Sequence, residues 1–238
     1  MTALFEVAVA GKRHGARQVL HDVHLAVHAG EIVSLVGASG CGKSTLLSIA
    51  AGLDRNYRGR VHLDGAPVHG PDDGIGLVFQ EPRLFPWLSA AQNIAFGGAA
   101  DPARVAGLLD DVGLRGYGSA LPHQLSGGQA QRVAIALGLY TQPRVLLLDE
   151  PFSAVDALTR MQLQDVLLGV AQARRLAVLL VTHDIDEALH LSDRVVLLQP
   201  GRTASFDVPA VRPRVRGNGA SAGIKCALLE QLQASHAF

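Results

Sequence analysis

Cysteine, lysine, aromatic rings and net charge are all scarce in this chain, and each shortage excludes something. Its 238 residues include 2 cysteines, Cys41 and Cys226, which stand far apart and form no CxxC pair. That excludes a disulfide scaffold or a cysteine-rich zinc module, and it fits a reducing compartment. Basic and acidic residues balance at 21 each, so the basic excess expected of a nucleic-acid binder is missing. Only Lys12, Lys43 and Lys225 are lysines; the Arg and Ala richness reads as compositional bias. The longest strongly apolar runs, at 176–181 and 145–148, fall far short of the about 20 residues a spanning helix needs. Glu6 in the first apolar stretch and the lack of a basic leader argue against a secretory signal.

What remains is an apolar chain, 48% hydrophobic but only 5% aromatic. A chain of this length can bury roughly 70% of its extended surface. Its mean hydropathy of +0.23 suggests further burial against something else.

Alternation of apolar and polar residues at 4–9 and 23–28 suits half-buried strands. A short strand at 31–36 (EIVSLV) runs into a glycine-rich stretch, and a helix follows over 46–52, the opening of a βαβ unit. Short strands are expected at 61–63 and 75–79. The pattern over 80–140 is helical, with helices at 90–95, 102–109 and 129–140 between Pro and Gly breaks. A second strand–helix series follows: strands at 145–148, 177–181 and 194–198, helices at 158–174 and 184–191. The segment from 209 onward is Arg/Gly/Ser-rich until 224–233, which reads as an amphipathic helix.

Gly37-Ala38-Ser39-Gly40-Cys41-Gly42-Lys43-Ser44-Thr45 is a complete G-x-x-x-x-G-K-[ST] between strand and helix. Glycines let successive N–H groups turn toward phosphate oxygens, and the helix adds the positive end of its dipole. Lys43 supplies a point charge for the β/γ-phosphates, and Ser44 is placed to ligate Mg²⁺. The motif implies binding of a nucleoside triphosphate. Such a site needs an acidic partner, and the apolar strand at 145–148 ends in Asp149-Glu150. Asp149 is expected to hold Mg²⁺ and Glu150 to polarise an attacking water. Leu125-Ser126-Gly127-Gly128-Gln129 opens a further helix N-terminus, a second phosphate cradle. Two cradles are redundant for one nucleotide in one chain. They make sense if two copies pair head to tail, each offering its second cradle to the partner's ATP.

The stretch 124–136 (QLSGGQAQRVAIA) resembles the signature of ATP-binding-cassette (ABC) ATPases, and over about 7–208 the chain carries that family's motifs in order. The resemblance implies an α/β fold: a P-loop NTPase (RecA-like) core with an antiparallel β subdomain and an inserted helical subdomain. On that reading 1–79 and 141–208 form the core, 80–140 the helical signature subdomain, and 209–238 a tail. It further implies that Gln80 touches Mg²⁺ and water, that Asp156 lies in a loop crossing a dimer interface, and that His183 contacts the γ-phosphate. Glu150 takes the general-base position. An aromatic residue usually stacks on adenine near the start of such chains, and here His14 stands in that place, a smaller stacking surface.

Residues 80–88 (QEPRLFPWL) carry two prolines, Phe85 and the only Trp, Trp87. Large apolar groups held out of a helix mark a partner surface if exposed, or the domain's own core if not. The run LFPWLSAAQNIAFG, the stretch 182–188 (THDIDEA) and the short tail with Arg212-Pro213-Arg214 are similar to importers of the nitrate, sulfonate and taurine class; pyrimidine-precursor importers share the pattern, which leaves the solute open. The implied partners are a second copy, transmembrane permease subunits and, indirectly, an extracytoplasmic solute-binding protein, with ATP and Mg²⁺ as cofactors and no nucleic acid. The implied place is peripheral, at the cytoplasmic face of the inner membrane. The alternative is a non-transport ABC-type ATPase acting on nucleic acid or ribosomes; a small-molecule kinase would not need 125–129. His21, His24 and His28 suggest a metal cluster, but strand alternation turns His21 away from the other two. Cys41 lies near a helix N-terminus, a setting that lowers a thiol pKa; it reads as a packing residue open to thiol reagents. Arg212, Arg214 and Arg216 read as a solvated tail.

Overall fold

The computed structural model describes residues 3–99, 101–199, 201–209 and 222–236. The arginines of the tail, Arg212, Arg214 and Arg216, lie outside them. The chain divides into two compact units, Met1–Asp72 with Ala177–Phe238, and Asp73–Leu176.

In the first unit, strands β1 (Phe5–His14) and β2 (Arg17–Val27) form one long antiparallel hairpin, registered from Phe5 opposite Val27 to His14 opposite Arg17. β4 (Arg58–Leu63) pairs with the other edge of β1, and β5 (Ala66–Pro67) continues the sheet. The hairpin extends beyond the alternating segments read from sequence, because its far end is built of polar residues. Lys12 is buried there by an ion pair that periodicity does not reveal. Asp22 adopts φ 48, which interrupts the alternation and keeps both Leu20 and Val23 inside. His21 and His24 are therefore both exposed, and His21 is not turned away by simple alternation. Among the described residues no group of three or more His, Cys, Asp or Glu is arranged to hold a metal.

The same unit contains β3 (Ile32–Val36), parallel to β8 (Ala177–Val181) and to β9 (Arg194–Gln199), with β10 (Arg202–Asp207) antiparallel on β9. β3 and β8 are buried at every position, as expected of parallel strands covered on both faces. Helix α1 (Lys43–Ala50) follows β3, and α6 (Ile185–Leu191) follows β8. The carboxy-terminal helix α7 (Ala222–His236) buries Leu228 among Val36, Ala188, Leu189, Val195, Leu197 and Val208, with Ile224 and Leu232 packed beside it. That four-residue spacing is the apolar stripe of an amphipathic helix. Lys225 pins α7 to α6 through Asp186 at 2.6 Å.

In the second unit β6 (Ile75–Val78) pairs in parallel with β7 (Val145–Asp149). Helices α2 (Ala90–Ile94), α3 (Pro102–Asp111), α4 (Gly127–Gly138) and α5 (Ala157–Arg174) complete it, with a 3₁₀ turn at Pro122–Gln124. Each of these four α-helices is opened by a side-chain cap: Ser89, Asp101, Ser126 and Asp156. Among the described residues no helix is long and apolar enough to cross a membrane.

Candidate nucleotide-binding site

The glycine loop runs from the end of β3 into α1; space requires glycine at 37, backbone angle at 40, and both at 42. Gly42 sits at φ 102, and a carbon placed on it would meet Leu20 Cδ2 at 2.6 Å. A carbon on Gly37 would lie 2.6 Å from Leu198 O. Gly40 is at φ 74 and, like Ser39, is exposed. Lys43 is 6% exposed, and its Nζ donates to Gly37 O at 2.8 Å and Ala38 O at 3.0 Å. The ammonium is thus held under the loop, aligned with its backbone. α1 begins at Lys43 without a side-chain cap on its N-terminus, unlike the four helices of the second unit. An anion can occupy that place. Ser44 is exposed and Thr45 half-buried on the first turn. The cradle fits a phosphate chain.

Burial raises the Cys41 thiol pKa and outweighs the opposing charge of Lys43 and the loop amides. This corrects the expectation of a lowered value: the favourable charge and amides at this loop are outweighed by the cost of taking a thiolate out of water. His14 is exposed at the far end of the hairpin. His183 is exposed just past β8, between Thr182 and Asp184. Asp184 N donates to Thr182 Oγ1 at 3.0 Å, and Asp184 caps α6 by accepting from Glu187 N at 3.1 Å. Because Leu35 pairs with Val181, the glycine loop and His183 leave the same end of neighbouring parallel strands, where α/β folds bind ligands.

The second unit repeats this arrangement with acidic and amide groups. Val78 pairs with Leu148, so Gln80, which is exposed, and the half-buried Asp149 and Glu150 leave the same end of β6 and β7. Glu150 adopts φ 45; its carbonyl accepts from Ser153 N at 3.2 Å and from Ser153 Oγ at 2.9 Å, which holds the turn. Asp156 caps α5, accepting from Leu158 N and Thr159 N at 3.1 Å. Hydrogen bonds from Thr159, side chain first and then backbone, lower its pKa.

Ser126 and Gln129 close a reciprocal capping box on α4, Gln129 N to Ser126 Oγ at 3.2 Å and Ser126 N to Gln129 Oε1 at 2.9 Å. Gly127 is exposed beside it, and Gly128 is buried where a carbon would stand 2.2 Å from Thr159 Cγ2. The glycine pair and the Asp156 turn are therefore neighbours. Trp87 is 71% exposed, while Phe85 is half-buried, its ring centroid 5.4 Å from Trp87 and 4.3 Å from Phe96. The aromatic segment is thus a surface feature rather than core. Sequence reasoning missed Asn93, whose buried amide holds this segment through four hydrogen bonds; the polar pair Gln92-Asn93 amid apolar neighbours at 90–95 was the available signal.

A glycine loop over a buried lysine, opening an uncapped helix at the end of parallel strands, defines an α/β protein of the P-loop nucleotide-binding class. A family model described as ABC transporter matches residues 20–153, and the chain belongs to that family. The aliphatic sulfonates import ATP-binding protein SsuB 1 of Xanthomonas axonopodis pv. citri (strain 306) is 57% identical, with 98% of each chain covered. The SsuB 2 protein of Burkholderia cenocepacia (strain HI2424) is 52% identical over 98% of this chain and 88% of its own. Among solved structures, cbiO1 of Clostridium perfringens, part of the ABC transporter complex cbiONQ, superposes with a TM-score of 0.81 at 25% identity, covering 97% of this chain and 94% of its own. The ATP-binding cassette MJ0796, a dimer in a post-hydrolysis state bound to ADP and Pi, gives a TM-score of 0.75 at 31% identity over 87% of this chain and all of its own.

Proposed function

We propose that this chain is the ATP-binding and ATP-hydrolysing subunit that energises an importer of aliphatic sulfonates. The observation that carries the reading is near-full-length similarity to proteins bearing that name, supported by a glycine loop closed over the buried Lys43. Nothing in the names of these relatives points to nucleic acid or ribosomes.

The amides of Gly37, Ser39, Gly40, Cys41, Gly42, Lys43, Ser44 and Thr45, with the Lys43 ammonium, bind the phosphate chain, and His14 stacks on adenine. Ser44, Asp149 and Gln80 supply the hard oxygen ligands that suit Mg²⁺, which when bound neutralises phosphate charge. Glu150 accepts a proton from the attacking water, and His183 contacts the γ-phosphate. Ser126, Gly127, Gly128 and Gln129, with Asp156 beside them, serve the ATP of a second copy in a head-to-tail pair. The helical segment 80–140 carries that signature and, through Phe85 and Trp87, meets the permease subunits; a solute-binding protein acts outside the membrane. The chain then works peripherally, on the cytoplasmic face.

Uptake of a labelled alkanesulfonate by cells carrying the wild-type chain or Lys43→Ala tests the reading. The variant is expected to abolish sulfonate uptake while leaving other solutes unaffected. Unchanged sulfonate uptake in cells that lack the chain sinks it.

A further inference from the structure

The β1–β2 hairpin lies directly against the phosphate loop. Val19 and Leu20 fill the space a side chain on Gly42 would need, with Val19 Cγ1 at 3.0 Å and Leu20 Cδ2 at 2.6 Å from a carbon placed there. Two residues before Val19 on the same strand, Arg17 directs its guanidinium at the loop's outer turn, where Nη2 stands 4.0 Å from a carbon placed on Gly40. Both Arg17 and Gly40 are exposed.

A second arginine on the hairpin shows what is distinctive about this one. Arg13 donates from Nη2 to Ala16 O at 2.5 Å and ties the turn to itself. Among the described residues Arg17 has no ion pair and no side-chain hydrogen bond. Its backbone is fixed all the same, since it pairs with His14 across the Gly15–Ala16 turn, where Gly15 adopts φ 57. The strand register therefore holds an uncommitted planar cation at the mouth of the loop, while the Lys43 ammonium is engaged beneath it.

We propose that Arg17 is a second cation of the phosphate site, contacting the phosphate chain of a bound nucleoside triphosphate from the hairpin side. This rests on the reading of the loop as a nucleotide site. A chain of phosphates carries more negative charge than one buried ammonium offsets, and a guanidinium fork matches phosphate oxygens in geometry as well as charge.

Purified full-length chain, titrated with ATP, GTP and inorganic tripolyphosphate, tests the assignment. Arg17→Gln is expected to weaken all three by a similar factor, about fivefold, the size of one exposed charge-assisted contact. It should also flatten the salt dependence of binding. Arg17→Lys should recover most of the affinity, with melting temperatures unchanged in both variants. His14→Ala should instead alter the ratio of ATP to GTP affinity and leave tripolyphosphate binding alone. Wild-type affinities for Arg17→Gln, while Lys43→Ala loses ATP and tripolyphosphate, overturn the assignment and leave the loop reading intact. A loss confined to ATP, with tripolyphosphate binding unchanged, overturns it too, because Arg17 then serves the base or ribose. Undiminished binding in Lys43→Ala brings down the loop reading and the assignment with it.

Discussion

Lys12 and Asp54 form an ion pair at 2.6 Å in which the lysine side chain is 3% exposed and the aspartate 23%. The same Nζ donates to Asn56 O at 2.8 Å. The pair ties the far end of the hairpin, where β1 shifts register between Lys12 and Arg13, to the segment that follows α1. That is also the end that carries His14 and Arg17.

The pair makes stability depend on acid. Burial is the largest influence on the Asp54 carboxyl and raises its pKa, but the hydrogen bonds from Lys12 and Asn56, with the charges of Lys12 and His14, outweigh it and leave the value lowered. A lowered carboxyl contributes its full stability above its unfolded pKa of about 4 and loses it as pH falls through the folded value. Asp54→Asn should therefore cost about 2 kcal/mol at neutral pH, because it leaves a buried ammonium short of a partner. Thermal melts of the two proteins should differ by about 4–8 °C at pH 7 and converge well below the unfolded carboxyl pKa. A gap that persists in acid would show that packing, not charge, holds the hairpin.

The segment bearing Trp87 has one main support. Asn93 is 1% exposed; its Oδ1 accepts from Phe85 N at 2.7 Å, and its Nδ2 donates to Leu88 O at 2.8 Å, Ser89 O at 3.0 Å and Phe85 O at 3.2 Å. Asn93→Ala leaves these backbone groups without their partner, at a cost of about 3 kcal/mol. Trp87 is the only tryptophan, so its fluorescence anisotropy should fall in the variant as the segment loosens. Unchanged anisotropy would mean the prolines alone hold the loop.

Gly42→Ala meets two obstacles at once. The backbone at φ 102 disfavours any side chain, and the new methyl would press on Leu20 Cδ2 at 2.6 Å. The loop must move away from the hairpin, at a cost of about 2–3 kcal/mol. ATP binding, followed by calorimetry, should fall beyond detection while circular dichroism keeps its native shape. Tight binding by this variant would show that the cradle tolerates a displacement of its amides.

Much of this is legible in the sequence, and the parts that are not share a cause. The glycine loop, the strand ending in Asp149 and the capped start of α4 are local patterns, in which residues adjacent in sequence stand together in the fold. The helix expected to open near the lysine of the loop does begin at Lys43, because the turn at Gly42 releases the chain straight into α1. β10 was missed because RTASFD, half exposed, lacks clear alternation and forms by pairing with β9. Lys12 escaped for the same reason: Asp54 and Asn56 reach it only through a fold-back of the chain, and composition carries no trace of them.

Glu150 stands at φ 45 with its carbonyl tied to Ser153, so its backbone is fixed independently of its side chain. Glu150→Gln keeps shape and removes only the proton acceptor. ATP binding should persist, while turnover drops by about 10²–10⁴ and ATP-bound dimer accumulates in light scattering. Full turnover in this variant would remove Glu150 from the general-base role.

Gly127 and Gly128 stand side by side at the start of α4, and the chain constrains them in opposite ways. A carbon on Gly128 would strike Thr159 Cγ2 at 2.2 Å, whereas one on Gly127 would find nothing within 4 Å. Alanine favours a helix over glycine by up to about 1 kcal/mol, so Gly127→Ala should fold with equal or slightly higher stability. Its ATP affinity as a single chain should also be unchanged, since the added methyl meets no atom of its own chain within 4 Å. If this exposed helix start receives the ATP of a second copy, the added methyl stands in the way of that approach. Dimer formation by Glu150→Gln in the presence of ATP should then fall sharply when Gly127→Ala is added. A loss of dimer with stability and single-chain ATP affinity unchanged then points to the facing copy, and undiminished dimer would mean that Gly127 does not face it.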